Sequence, residues 1–137
     1  MIYAVIDTNV IVSAILTKNL ESPTVQIMKA VLDKRLIPLY DNDIMSEYTD
    51  VLHRQKFGFA DNVINVYLDA FKKGGIPSHR VEGNDFFPDP KDIVFYEVAL
   101  SKEDAYLVTG NTKHFPKNPI VVTPTEMLDI LKEQGLL

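Results

Sequence analysis

The chain opens on Ile2-Tyr3-Ala4-Val5-Ile6, an almost wholly apolar and largely β-branched run that stops at Asp7-Thr8-Asn9. A short apolar run closed by polar turn formers predicts a strand covered on both faces. Asp7, Thr8 and Asn9 then offer helix-cap chemistry to the apolar stretch 10–16. Ser22-Pro23 predicts a capped helix over 22–33, with Val25, Met28, Val31 and Leu32 at helical spacing. Residues 36–40 predict a second strand. A helix over 41–54 follows, with Ile44, Tyr48, Val51 and Leu52 on one face, and another over 60–73 that stops at Gly74-Gly75. Residues 76–90 are the least regular, with an edge strand expected at 79–81. A helix from Asp89-Pro90 to about residue 101, strands at 106–109 and 120–122, and a helix over 123–134 with Met127, Leu128 and Leu131 inward complete the pattern. Short buried strands alternating with helices imply right-handed crossovers and a parallel sheet. The expected architecture is a single domain over 1–137, a three-layer α/β/α sandwich around four to five short parallel strands.

Composition narrows the chemistry. The 137 residues carry 14 Lys+Arg against 19 Asp+Glu, a formal net charge of −5, so simple electrostatic capture of nucleic acid is disfavoured. Any nucleic-acid substrate would need a cation to offset the carboxylates. The absence of cysteine excludes a disulfide scaffold, a Cys-ligated zinc or iron–sulfur site and a thiol nucleophile. It fits a reducing compartment, and a cytoplasmic location is expected. No apolar run approaches the roughly 20 residues of a membrane span, and no signal peptide is evident at the N-terminus.

Ligands of open α/β sheets collect beyond the carboxyl ends of the strands. Those ends are rich in acids and amides here: Asp7, Thr8 and Asn9 after the first strand, Asp41, Asp43 and then Glu47 after the second, Asp89 and Asp92 opening a later helix, and Thr109-Gly110-Asn111 after the strand at 106–109. Each has a structural explanation of its own. Asp7, Asn9 and Asp89 could be caps, Asp92 a favourable first-turn acid, Glu47 a solvated glutamate and Asn111 a turn residue. Together they point further, because converging carboxylates repel unless a cation is bound or a proton shared. An all-oxygen set suits Mg2+ or Mn2+ rather than zinc.

The segments Ile6-Asp7-Thr8-Asn9, Glu47 in the following crossover, Pro88-Asp89-Pro90-Lys91-Asp92 and the run from Tyr106 to Phe115 resemble, in order and over essentially the whole chain, a PIN domain. The resemblance is closest to the branch of toxin components of prokaryotic toxin–antitoxin pairs. It implies an Mg2+- or Mn2+-dependent ribonuclease that hydrolyses single-stranded RNA, with an antitoxin partner and a homodimeric assembly. Asp7, Glu47 and Asp92 match the family's metal-binding acids, and Thr109 matches a threonine that orients nearby carboxylates or water. Asn111 stands where many members have a fourth acid; its amide oxygen can still accept a metal or water contact but carries no charge. Asp104, which precedes a strand, belongs to the opposite edge.

Independently of the resemblance, a cation held by Asp7, Glu47 and Asp92 could acidify a bound water and brace a phosphate. Asn9, Arg54, Lys56, Lys113 and His114 are candidate RNA contacts, with a solvated surface as the alternative for the four basic residues. Phe86, Phe87 and Phe115 could stack on bases or simply anchor loops. A phosphoryl-accepting receiver domain also gathers acids at the carboxyl edge of a parallel sheet, but Thr109-Gly110-Asn111 supplies no acceptor aspartate. A PIN fold without catalysis, acting as a binding or scaffold subunit, is the alternative function.

Overall fold

A computed structural model describes residues 1–82 and 90–137. Its strands are β1 (Ile2–Ile6), β2 (Leu36–Tyr40), β3 (Ile76–Pro77), β4 (Tyr106–Val108) and β5 (Val121–Val122). They form one parallel sheet in the order β3-β2-β1-β4-β5. Helices α1 (Thr8–Leu16), α2 (Pro23–Leu32), α3 (Asn42–Leu52), α4 (Asp61–Gly74), α5 (Ile93–Ala99) and α6 (Pro124–Glu133) flank it. α5 lies against β1, β2 and β4, and α2 against β2 with α1, α4 and α6 around it, which gives the α/β/α sandwich. Among the described residues no helix is long and apolar enough to cross a membrane.

β1 is the central strand, and Ala4, Val5 and Ile6 are fully buried. Full burial of each large aliphatic side chain is worth roughly 1.5–3 kcal/mol, which fixes the strand against movement. The chain steps outward from β1 to β2 and β3, then returns to place β4 on the other side of β1. The carboxyl ends of β1 and β4 therefore flank the point where strand order reverses, the place where such sheets open a crevice.

The helix starts follow the expected chemistry. Ser22 accepts from the Val25 amide with Pro23 in the first turn, Asp41 from the Ile44 amide at 2.8 Å, and Thr123 forms a reciprocal capping box with Glu126. Two expectations are corrected. Leu32 is exposed, and α2 instead turns Ile27 and Ala30 inward beside Met28 and Val31. The edge strand lies at Ile76–Pro77, not 79–81, because the ladder with β2 ends when the Ser78 amide bonds the Tyr40 carbonyl, the last residue of β2. The expected helix start at Asp89, and Phe86, Phe87 and Pro88, lie outside the described residues. Asp104 takes a left-handed turn (φ 64°) just before β4, at the opposite edge from the strand ends that carry acids.

Pro38 stands inside an interior strand, where a proline normally forfeits a ladder hydrogen bond. Its carbonyl faces Gly75, on the β3 side, and a residue's N and C=O point to the same side of a strand. β3 begins only opposite Leu39, so the missing N–H falls where no strand pairs with it. This arrangement requires Gly75. A β-carbon there would lie 2.7 Å from the Pro38 carbonyl oxygen and 2.4 Å from that of Phe71. Gly75→Ala should therefore destabilise the protein by about 1–3 kcal/mol through backbone crowding. Gly110→Ala, where an added methyl meets nothing, should change stability by less than about 1 kcal/mol. Denaturant midpoints of the two variants check this; equal midpoints would remove the steric role of Gly75.

Candidate functional site

Asp7 follows β1 directly and is 6% exposed. Its amide bonds the Val108 carbonyl at 2.9 Å, extending the β1–β4 ladder to the sheet edge. Although Asp7 precedes α1, its carboxylate makes no capping hydrogen bond, which sets aside the capping role. It instead accepts from the hydroxyl of fully buried Thr109 at 2.7 Å. The same hydroxyl accepts from the Asn111 amide at 3.0 Å, so its proton has one direction left to point, towards Asp7. Burial raises the Asp7 carboxyl from 3.8 to about 6, with the Asp92 and Glu47 charges pushing the same way. The Thr109 hydrogen bond and the Thr8 amide oppose the rise without cancelling it.

The residues on either side of Asp7 are fastened to consecutive residues of α3. Thr8 donates its hydroxyl to Glu47 Oε2 at 2.7 Å. Tyr48 donates its phenol to the Ile6 carbonyl. Tyr48 is fully buried against Phe71, with ring centroids 4.9 Å apart, and against Phe95 at 6.3 Å. Burial, then the Asp7, Glu47 and Asp41 charges, push the Tyr48 phenol well above its usual pKa, so it remains a neutral donor. The sequence pattern reads Tyr48 only as a core position and Thr8 only as a cap. The adjacent pair Glu47-Tyr48, one polar and one core-facing, is the signal that α3 crosses the end of β1.

Asp92 enters from a third element. Residues 90–92 make one tight turn before α5, and Asp92 is the N-cap residue rather than part of the first helical turn, with no capping hydrogen bond from its side chain. Its side chain is 21% exposed, and His114 Nδ1 lies 3.7 Å from its Oδ2. Thr109, at the end of β4, thus touches Asp7, and Glu47 on α3 and Asp92 at the start of α5 lie near enough for their charges to act on it. Asn111 is held beside them by its backbone, with its residue exposed. Asp41 caps α3, and Asp43 lies 3.6 Å from the Arg80 guanidinium. Asn9 is the second residue of α1 and exposed, which excludes it as the cap. Arg54 pairs with Asp50 at 3.3 Å, Lys56 lies over the Phe57 ring at 5.1 Å, and Lys113 is exposed. Phe115 is buried and serves as an anchor. Asp89 lies outside the described residues.

Among the described residues, no group of three or more His, Cys, Asp or Glu side chains is gathered closely enough to hold an ion. The donor chemistry still fits a hard divalent cation. The donors are all oxygens, and Asp7, raised chiefly by burial, is raised further by the two like charges that a cation would offset. The residues suit the ion in kind.

No curated protein and no solved structure gives a significant match to the chain. The sequence profile described as PIN domain matches residues 3–113, a span that takes in Asp7, Glu47, Asp92, Thr109 and Asn111. With the parallel sheet and flanking helices in the arrangement described above, and more than half its length matched, the chain belongs to the PIN-domain family.

Proposed function

We propose that this protein is an Mg2+- or Mn2+-dependent endoribonuclease that hydrolyses single-stranded RNA, acting as the toxin of a toxin–antitoxin pair. Family membership supports the broader part of this reading, since PIN domains are in general nucleases that bind divalent metal. The observation that carries it is Asp7: a carboxylate buried at the end of the central strand, raised to about 6, beside the charges of Asp92 and Glu47. Structural acids are rarely crowded in this way, and perturbed carboxylates in a crevice mark functional sites.

Asp7, Glu47 and Asp92 would hold the cation, which when bound acidifies water and offsets charge on the phosphate. Thr109 holds the Asp7 carboxylate in one orientation. Asn111 offers a neutral oxygen at the rim. His114 and Lys113 follow the same strand end, and His114 sits beside Asp92, so both are suited to meet the RNA backbone. Asn9, Arg54 and Lys56 are further candidates for RNA contact. A protein antitoxin and a homodimer complete the proposal and rest on the motif resemblance. The neutral, exposed Asn111 in place of a fourth acid favours one other reading, a catalytically weak or inactive PIN fold acting as a binding or scaffold subunit.

The experiment is cleavage of a mixed single-stranded RNA pool with and without Mn2+. Wild type should cleave only with metal. Asp7→Asn and Asp92→Asn should each lower the rate by roughly 10^2-fold or more, as when one transition-state charge stabiliser is removed. Asp104→Asn, at the opposite edge, should not change it. Metal-dependent RNA binding without cleavage would establish the scaffold reading, and full activity in both aspartate variants would sink the proposed site.

A second prediction follows from the raised Asp7 value. The folded state holds the Asp7 proton more tightly than the unfolded chain, so this stabilisation is complete below 3.8 and is lost as pH rises through about 6. Asp7→Asn carries no charge to lose. Without metal it should be more stable than wild type by an amount that opens between those two values and levels off above them, on the order of 3 kcal/mol. Mn2+ should narrow the gap by stabilising wild type alone. Melting curves from pH 4 to 8, with and without Mn2+, check it; a constant difference across that range would contradict the burial of Asp7.

A further inference from the structure

The stretch that leaves β3 is tied to three elements in four residues. The Ser78 amide bonds the Tyr40 carbonyl at 2.7 Å, at the end of β2. The Val81 amide bonds the Glu97 carbonyl at 3.0 Å, in the last turn of α5. Between them, Arg80 reaches in two directions. Its Nε and Nη2 donate to Glu97 Oε1 at 2.9 and 2.6 Å, and its Nη1 lies 3.6 Å from Asp43 Oδ2. Glu97 is the buried partner, with its side chain 8% exposed, whereas those of Arg80 and Asp43 are 42% and 69% exposed.

These contacts join the two helices that carry the proposed ligands. Asp43 precedes Glu47 by four residues on α3, so both lie on one face, one turn apart. Glu97 stands on α5, five residues beyond Asp92, or roughly 7.5 Å along a helix axis. α3 and α5 also touch directly, and the Arg80 guanidinium spans both. A buried Glu97 needs a cation and hydrogen bonds to be tolerated, which accounts for an arginine with its forked donors. It does not account for the second arm, towards exposed Asp43.

We infer that Arg80 is a positioning residue: by bracing α3 through Asp43 and α5 through Glu97, it sets the separation of Glu47 and Asp92 and thereby the affinity of the site for its divalent cation. The inference rests on the reading that Glu47 and Asp92 take the metal. Arg80 itself touches neither of them in the contacts described, nor is it assigned to the RNA.

The sign of one measurement separates this role from a plain charge effect. Removing a positive charge from the neighbourhood of an acidic pocket should by itself tighten the binding of a cation. Loss of a brace should weaken it. Mn2+ would be titrated calorimetrically into wild type, Arg80→Met, Arg80→Lys and the double variant Arg80→Met/Glu97→Leu, with melting temperatures taken without metal. RNA cleavage would be followed against Mn2+ concentration.

Arg80→Met should bind Mn2+ about tenfold more weakly, a change of about 1.4 kcal/mol. Its cleavage rate at saturating metal should stay within about threefold of wild type. The lysine variant, with its charge kept and its fork lost, should fall between the two. The double variant also removes the buried Glu97 carboxylate, so it should regain most of the melting temperature without regaining Mn2+ affinity. A double variant with wild-type Mn2+ affinity, or an Arg80→Met variant that binds more tightly, would reduce Arg80 to an ion pair and overturn the inference. Equal affinities across a set in which wild type binds Mn2+ and cleaves would do the same while leaving the metal site standing. Wild type that binds no Mn2+ would overturn the metal reading and this inference with it.

Discussion

Taking a carboxylate out of water costs several kcal/mol unless something meets its charge, and the β1–α1 junction of this protein is organised around that cost. Asp7 is fixed by the strand beneath it: Ala4, Val5 and Ile6 have no exposed surface, so the next residue has little freedom to move outward. One hydroxyl, from Thr109, meets its carboxylate, and that hydroxyl is itself oriented by the Asn111 amide. Tyr48 and Glu47 then secure Ile6 and Thr8 on either side. Two neutral donors, the Thr109 hydroxyl and the Thr8 amide, leave the buried acid only partly compensated. A cation bound there would offset the remainder.

How much of this could be read from the residues depends on the range of the interaction. β1, β2, α2, α3 and α4 are legible because their apolar residues follow the pattern of the element and are bounded by Asp, Ser-Pro or Gly-Gly. The acids at the strand ends are legible for the same reason, since a buried strand must deliver its next residue to the sheet edge. Asp7 follows from that alone, whereas Glu47 and Asp92 are singled out by the motif resemblance. What Asp7 does with its carboxylate does not, because a cap and a crevice acid share the same position in sequence. Only the hydrogen bond from Thr109, a hundred residues away, separates them.

The stretch from Ile76 to Val81 was the least legible part, for physical reasons. A two-residue strand with a proline has no period to detect, and its place is set by where β2 leaves room. The Arg80–Glu97 pair depends on the path of a loop, and an arginine and a glutamate seventeen positions apart carry no local signature. Leu32 shows the reverse case: an apolar residue at good helical spacing that tertiary packing leaves outside.

The sheet is finished at both sides by strands of two residues, Ile76–Pro77 and Val121–Val122. A long unpaired strand is a template on which another chain can add by backbone pairing, and short or proline-bearing edges deny it that template. A second copy laid against either side could gain only a bond or two. Short edges of this kind disfavour sheet continuation across two molecules and the aggregation that begins there.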